Sequence, residues 1–388
     1  MTTSVPSPNG EAIHVKNEKE LTNTINKAKN PTTIKLDNDI ALTKPLAISK
    51  NKNITLTSNT TTIGFFKLIG ATDQTTINVD MGVLHLAGII VTHESETNGL
   101  GVNVTKDGKL FMISGEISGN NGWGDRHGYG SGVAVYEGCS FEMTGGVIAD
   151  NRGSRFGGGV WVTGFFNMSG NAVIANNYND TDCTGCGVYN EGSFVMSGNS
   201  VIANNTAEFG GGVYNMGSFV MTDNSKITNN FATSGGGVYN EFHGSFVMTG
   251  YSRITNNTAS IGDVSKDDAS KGYVSKGGGV SNWGSFEMSD NAVISGNVAD
   301  HGGGVCIDSG GSFKMIGGMI TSNTADKGGG VHVGEEWSSE ECVFEMLGGK
   351  ISDNFAELDY GGVYNASTFN QTGGTISGNK TNGKHPNQ

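Results

Sequence analysis

Three of the four arginines in this chain, Arg126, Arg152 and Arg155, fall in two neighbouring turns with Trp123, His127 and Tyr129. Guanidinium forks hold carboxylates bidentately, and aromatic rings cover the apolar face of a pyranose, so this cluster suits an acidic or neutral sugar. Asp125 and Asp150 stand beside it, and the competing reading is a solvated loop in which they neutralise the arginines. A lyase assembled from Arg126, Asp150 and Arg152 is the enzymatic version of the same cluster. Glycoside hydrolysis instead needs two carboxylates across one groove. Glu142, Glu287 and Glu345 sit several repeats apart or lack an adjacent partner, which argues against it. No G-x-S-x-G run or metal-binding histidine pair is present in the sequence.

Two other stretches carry reactive groups. Cys183 and Cys186 form a lone C-x-x-C beside Asp180 and Asp182. A zinc site needs a second pair, so a disulfide or free thiols in a turn is expected. With Cys139, Cys306 and Cys342 the count is five, and at least one thiol stays unpaired within the chain. The run GEEWSSEEC, Gly334–Cys342, sets four glutamates around Trp337. Carboxylates suit calcium, but the ordered ligand spacing of a calcium loop is missing. No cofactor is otherwise expected.

Composition removes several classes of function. The chain has 24 basic and 37 acidic residues, a net charge of -13, and no basic cluster to displace counterions from phosphates. Nucleic acid is therefore not an expected partner. No run approaches the ~20 apolar residues of a membrane-spanning helix. The opening MTTSVPSPNGEAIHV lacks the charged-then-apolar pattern of a leader, so the expectation is a cytosolic protein or a mature piece of an exported one.

Whatever these groups do, a repeat must position them. The stretch Gly210–Asn230, GGGVYNMGSFVMTDNSKITNN, recurs ten times between Val102 and Asn379. Each copy has a valine after glycine (Val213), a phenylalanine (Phe219; leucine in the first copy, Leu110), an isoleucine (Ile227) and an asparagine three residues later (Asn230). Apolar runs of 3 to 5 residues are too short for helices, and three short strands per ~25-residue unit predict a parallel β-helix. All five prolines lie outside this region, as expected where strands are paired on both sides. The asparagine column comprises Asn120, Asn151, Asn177, Asn205, Asn230, Asn257, Asn297, Asn323, Asn354 and Asn379. Amides stacked at the strand spacing can bond to one another along the column, which predicts a structural ladder.

The first hundred residues differ. Asn17 reads as the cap of a helix carrying Leu21, Ile25 and Ala28 on one face, with Glu20 completing a capping box and Pro31 closing it. Such a helix covers the open end of a strand stack. Three parts are expected: residues 1–101 as an N-terminal cap, residues 102–379 as ten coils, and residues 380–388 as a tail.

If Val213 points inward, strand alternation turns Tyr214 outward. The same rule places Trp161, Tyr189, Tyr214 and Tyr239 in an exposed stripe of about 15 Å at the ~4.8 Å strand spacing, a candidate contact surface. Val195, Val220 and Val247 line the next strand outward.

The GGGV…N and GGxIxxN repeats resemble those of adhesin-like surface proteins and of the polymorphic outer-membrane proteins, within the pectate-lyase-like superfamily. The resemblance covers Val102 to Asn379. It departs in having isoleucine where the latter family has phenylalanine before x-x-Asn. It implies an all-β, single-stranded right-handed parallel β-helix, outside the cell or on its surface, with no catalytic residue and a glycan or a host or neighbour-cell protein as partner. Parallel β-helices also host polysaccharide lyases, so a carbohydrate-active enzyme at Arg126, Arg152 and Arg155 is the alternative reading.

Overall fold

A computed structural model describes residues 12–383 and 385, except 30, 62–63, 96, 123–129, 154, 179–182, 262–273 and 336–339. The repeat folds as a parallel β-solenoid, as its spacing predicts. One wall is a sheet of twelve strands running from Leu46–Ile48 to Val363–Asn365, each paired in parallel with the next. A second wall holds the phenylalanine strands, such as Ser218–Met221, and a third the isoleucine strands, such as Lys226–Thr228. Like residues face each other across most inward rungs of the repeat: Val188 with Val213, Phe194 with Phe219, Ile202 with Ile227.

The lumen is solid. Valine, phenylalanine, methionine and isoleucine columns are buried almost without exposure and form one continuous core. The phenyl rings from Phe141 to Phe369 stack 4.5–4.9 Å apart and within 10° of parallel. That distance is the spacing of the strands themselves.

The corner before the ladder asparagine explains the abundance of Asn, Asp and Gly. Asp150, Asn176, Asn204, Asn229, Asn256 and Asp353 all have φ between 54° and 59°, the left-handed region those residues tolerate best. Glycine is required at Gly212 for a different reason. A Cβ there would lie 2.6 Å from the Gly237 carbonyl oxygen and 2.8 Å from Ile227 Cγ2. Only a bare backbone lets the isoleucine and the asparagine pack beneath it.

Helix α1 (Glu18–Lys27) caps the N-terminal end as expected. The Asn17 side chain accepts the Glu20 N–H at 3.0 Å, while Glu20 accepts the Lys16 N–H at 2.9 Å. Leu21 and Ile25 are buried in the solenoid core.

The ten asparagines form the predicted ladder. Each Nδ2 of Asn120 through Asn354 donates to the next Oδ1 at 2.8–3.0 Å. Each backbone N–H of Asn120 through Asn354 donates to that same oxygen at 2.9–3.1 Å. The backbone donor fixes which end of each amide is oxygen. His93 stands at the head of the column, with Nδ1 2.8 Å from Asn120 Oδ1. A second ladder runs along the first wall, Asn190 to Asn215 to Asn240 to Asn282, with every step 2.7 Å.

Candidate functional site

The outward aromatic column is not a surface. Trp161, Tyr189 and Tyr239 are only 4–5 % exposed, and Tyr214 is half-buried. Between the ladder asparagines from Asn151 to Asn323 and the glycine runs that follow them, described residues form an arch that lies back over the first wall. The arches stack in parallel through Phe156, Thr184, Phe209, Ser234, Lys276, His301 and Lys327. Four of these residues touch the outer residue of the next coil. Phe156 packs on Tyr189 at 4.8 Å, Phe209 on Tyr239 at 5.4 Å, Ser234 donates to Ser281 at 3.2 Å, and His301 stacks on His332 at 4.4 Å. Tyr189, Tyr214 and Tyr239 stack at 5.1 Å beneath them. The Tyr214 hydroxyl donates to Glu241 at 2.7 Å; burial, reinforced by that carboxylate, pushes the phenol well above its ordinary value. The expected exposed stripe is thus corrected to a second, smaller core. Alternation placed the side chains outside the lumen rightly, but that side is covered by protein.

Of the expected sugar cluster, Trp123, Arg126, His127 and Tyr129 lie outside the described residues. Arg152 is half-buried in a bridge column between Asn121 and Tyr178. Arg155 is exposed, 5.6 Å from the Phe156 ring. Cys183 and Cys186 form a disulfide, while Cys139, Cys306 and Cys342 are buried free thiols. Asp180 and Asp182 lie outside the described residues, as do Glu336 and Trp337 of the glutamate run. Glu335 turns inward, whereas Glu340 and Glu341 are exposed.

The densest chemistry lies where the aromatic column stops. After Tyr239 its next rungs are Ser281, Cys306 and His332, and the arches above supply Lys276 and His301. Asp308 and Glu335 follow their wall strands and point into the same space. Lys276 Nζ lies 2.5 Å from Asp308 and 3.1 Å from Glu335, and His301 Nδ1 lies 3.0 Å from the same Glu335 oxygen. Cys306 Sγ is 4.0 Å from His332 Nδ1, and His332 is fully buried.

Burial sets the electrostatics. It depresses His332 from 6.5 to about 3, with His301 adding to the effect. It would raise Glu335, but the His301 hydrogen bond and the charges of His332 and Lys276 outweigh it and hold the carboxyl at about 2. Lys276 is pulled down by burial and raised further by Cys306, Asp308 and Glu335, so it stays an ammonium. Burial drives the Cys306 thiol well up, and a thiol is a poor nucleophile. A cysteine and histidine so enclosed offer a substrate no approach.

A pH dependence follows. Between about 3 and 6.5 only the unfolded chain protonates His332. Its contribution is whole above pH 6.5 and falls as pH drops toward 3, by up to about 1.4 kcal/mol per unit. Glu335 adds a loss as pH falls from 4.5 toward about 2. Guanidinium unfolding in chelator-containing buffer at stepped pH is expected to show a falling midpoint, which His332→Phe flattens above pH 4.5. An equal slope in the variant would assign the titration elsewhere.

This cluster went unseen in the sequence, although a signal was there. The outward column and the arch both turn from aromatic or neutral to ionisable within the same coils. The VYN, VYN, VYN, VSN series likewise announced the second asparagine ladder. No protein-family model, curated protein or solved structure matches the chain.

Proposed function

We propose that the protein is a non-enzymatic, adhesin-like β-helix that presents an extended outer face to a glycan or a protein at a cell surface. The observation that carries this reading is the outward row of the second wall. Phe111, Glu142, Asn167, Val195, Val220, Val247, Glu287, Lys314 and Glu345 follow one another in register on consecutive coils. At ~4.8 Å per rung this row is roughly 40 Å long. Its centre is three half-buried valines beside Ser193, Ser218 and Ser245, and its flanks are charged. A flat apolar strip with polar margins fits a contact surface. Its carboxylates do not suit hydrolysis: Glu142 and Glu287 are five rungs apart, about 24 Å, and Lys314 separates Glu287 from Glu345.

The test replaces the strip. Lys314 already occupies this row, so Val195→Lys, Val220→Lys and Val247→Lys together are compatible with the scaffold. Binding to glycan arrays and to intact cells is expected to fall at least ~10-fold, about 1.4 kcal/mol, with a thermal midpoint close to wild type. Undiminished binding would remove this face from the proposal.

A further inference from the structure

We propose that His301, His332 and Glu335 bind a divalent transition-metal ion of the zinc class, which ties the arch of one coil to the wall of the next. One ligand atom from each residue lies within 4.8 Å of the other two. The three come from different elements: His301 from an arch, His332 from the first wall, and Glu335 from the turn that follows that wall.

Two further observations point to a cation. His332 Nε2 is buried and has no hydrogen-bond partner among the described residues. Leaving a buried nitrogen without a partner is unfavourable, and a metal bond answers it. Charge is the second. Lys276 supplies one positive charge against the two carboxylates of Asp308 and Glu335, whose side chains are only 6 % and 9 % exposed. A divalent ion on Glu335 leaves Lys276 paired to Asp308 alone.

The donor set selects the metal class. Two imidazoles and one carboxylate are zinc-type ligands, with the sulfur of Cys306 beside them, whereas calcium takes oxygen donors. Zinc bonds of about 2.0–2.1 Å place ligand atoms roughly 3.4 Å apart in a tetrahedron. Binding therefore draws the three residues together and turns the stacked imidazole rings so that their nitrogens converge.

Lys276 makes the test specific, because its ammonium competes for Glu335. Zinc chloride is titrated calorimetrically into the intact chain, wild type and variants, after each is shown to be folded by circular dichroism. One equivalent is expected to bind the wild type. His332→Phe and Glu335→Gln should each weaken that binding by at least about 10–100-fold, the range already seen for outer-shell partners. Lys276→Met keeps all three ligands and removes the competitor, so it should bind zinc more tightly and gain more thermal stability from it than wild type. Wild-type affinity in His332→Phe, or no gain in Lys276→Met, overturns the proposal.

Discussion

Asn230→Ala is expected to destabilise the solenoid by about 4 kcal/mol, near the upper end for a single substitution. The side chain is 1 % exposed. Its oxygen accepts the Asn205 N–H at 2.9 Å and Asn205 Nδ2 at 3.0 Å. Its own Nδ2 donates to Asn257 Oδ1 and to the carbonyls of Ile202 and Thr228. Alanine removes the acceptor of the Asn205 N–H, which is fully buried. Each buried group so stranded costs about 1–3 kcal/mol. Asn230→Asp should be worse still. It keeps the acceptor for Asn205 but sets a carboxylate oxygen against Asn257 Oδ1. Coils in a repeat array contact only their neighbours, so damage at a central rung weakens one interface. Guanidinium unfolding followed by circular dichroism should show a lower midpoint and a transition split in two. A single transition at the wild-type midpoint would mean that the ladder is ornamental.

The second large effect is Phe219→Ala, expected at about 4–5 kcal/mol. The ring is fully buried, 4.8 Å from Phe194 on one side and 4.8 Å from Phe246 on the other. Truncating a core phenylalanine typically costs 3–5 kcal/mol through lost transfer energy and the cavity left behind. Neighbouring rings cannot slide in to fill it, since the strand spacing holds them apart. Phe219→Leu separates volume from stacking. Leu110 already serves the same column, paired with Phe141, and leucine leaves a smaller cavity than alanine, so it is expected to cost clearly less. If leucine were as damaging as alanine, ring stacking rather than filled space would hold the column.

The lumen was legible in the sequence for a plain reason. Every coil must bury the same stripe, so Val213, Phe219, Ile227 and Asn230 recur at fixed spacing and their register follows. The cap was legible because Asn17 and Glu20 carry a local signal. The arch was not. Phe209, Ser234, Lys276 and His301 share a place in space but no residue type, and Phe209, Ser234 and His301 each meet the outer residue of the following coil. Without the arch, Tyr189 and Tyr239 read as exposed. The polar cluster was hidden by the same step, because Lys276, His301, Asp308 and Glu335 converge only once arches are laid over walls.

The asparagine column has one further property. Each of its amides points the same way, oxygen toward the preceding coil and N–H toward the following one. Amide dipoles aligned head to tail add, as peptide dipoles of about 3.5 D do along a helix. The column is therefore a permanent electrical axis, negative at the end met by His93 and positive at Asn379. Whole coils can be inserted or lost without disturbing it. An inverted coil cannot join, because oxygen would face oxygen at the seam. The solenoid is an arrow, and its two ends are electrically unlike.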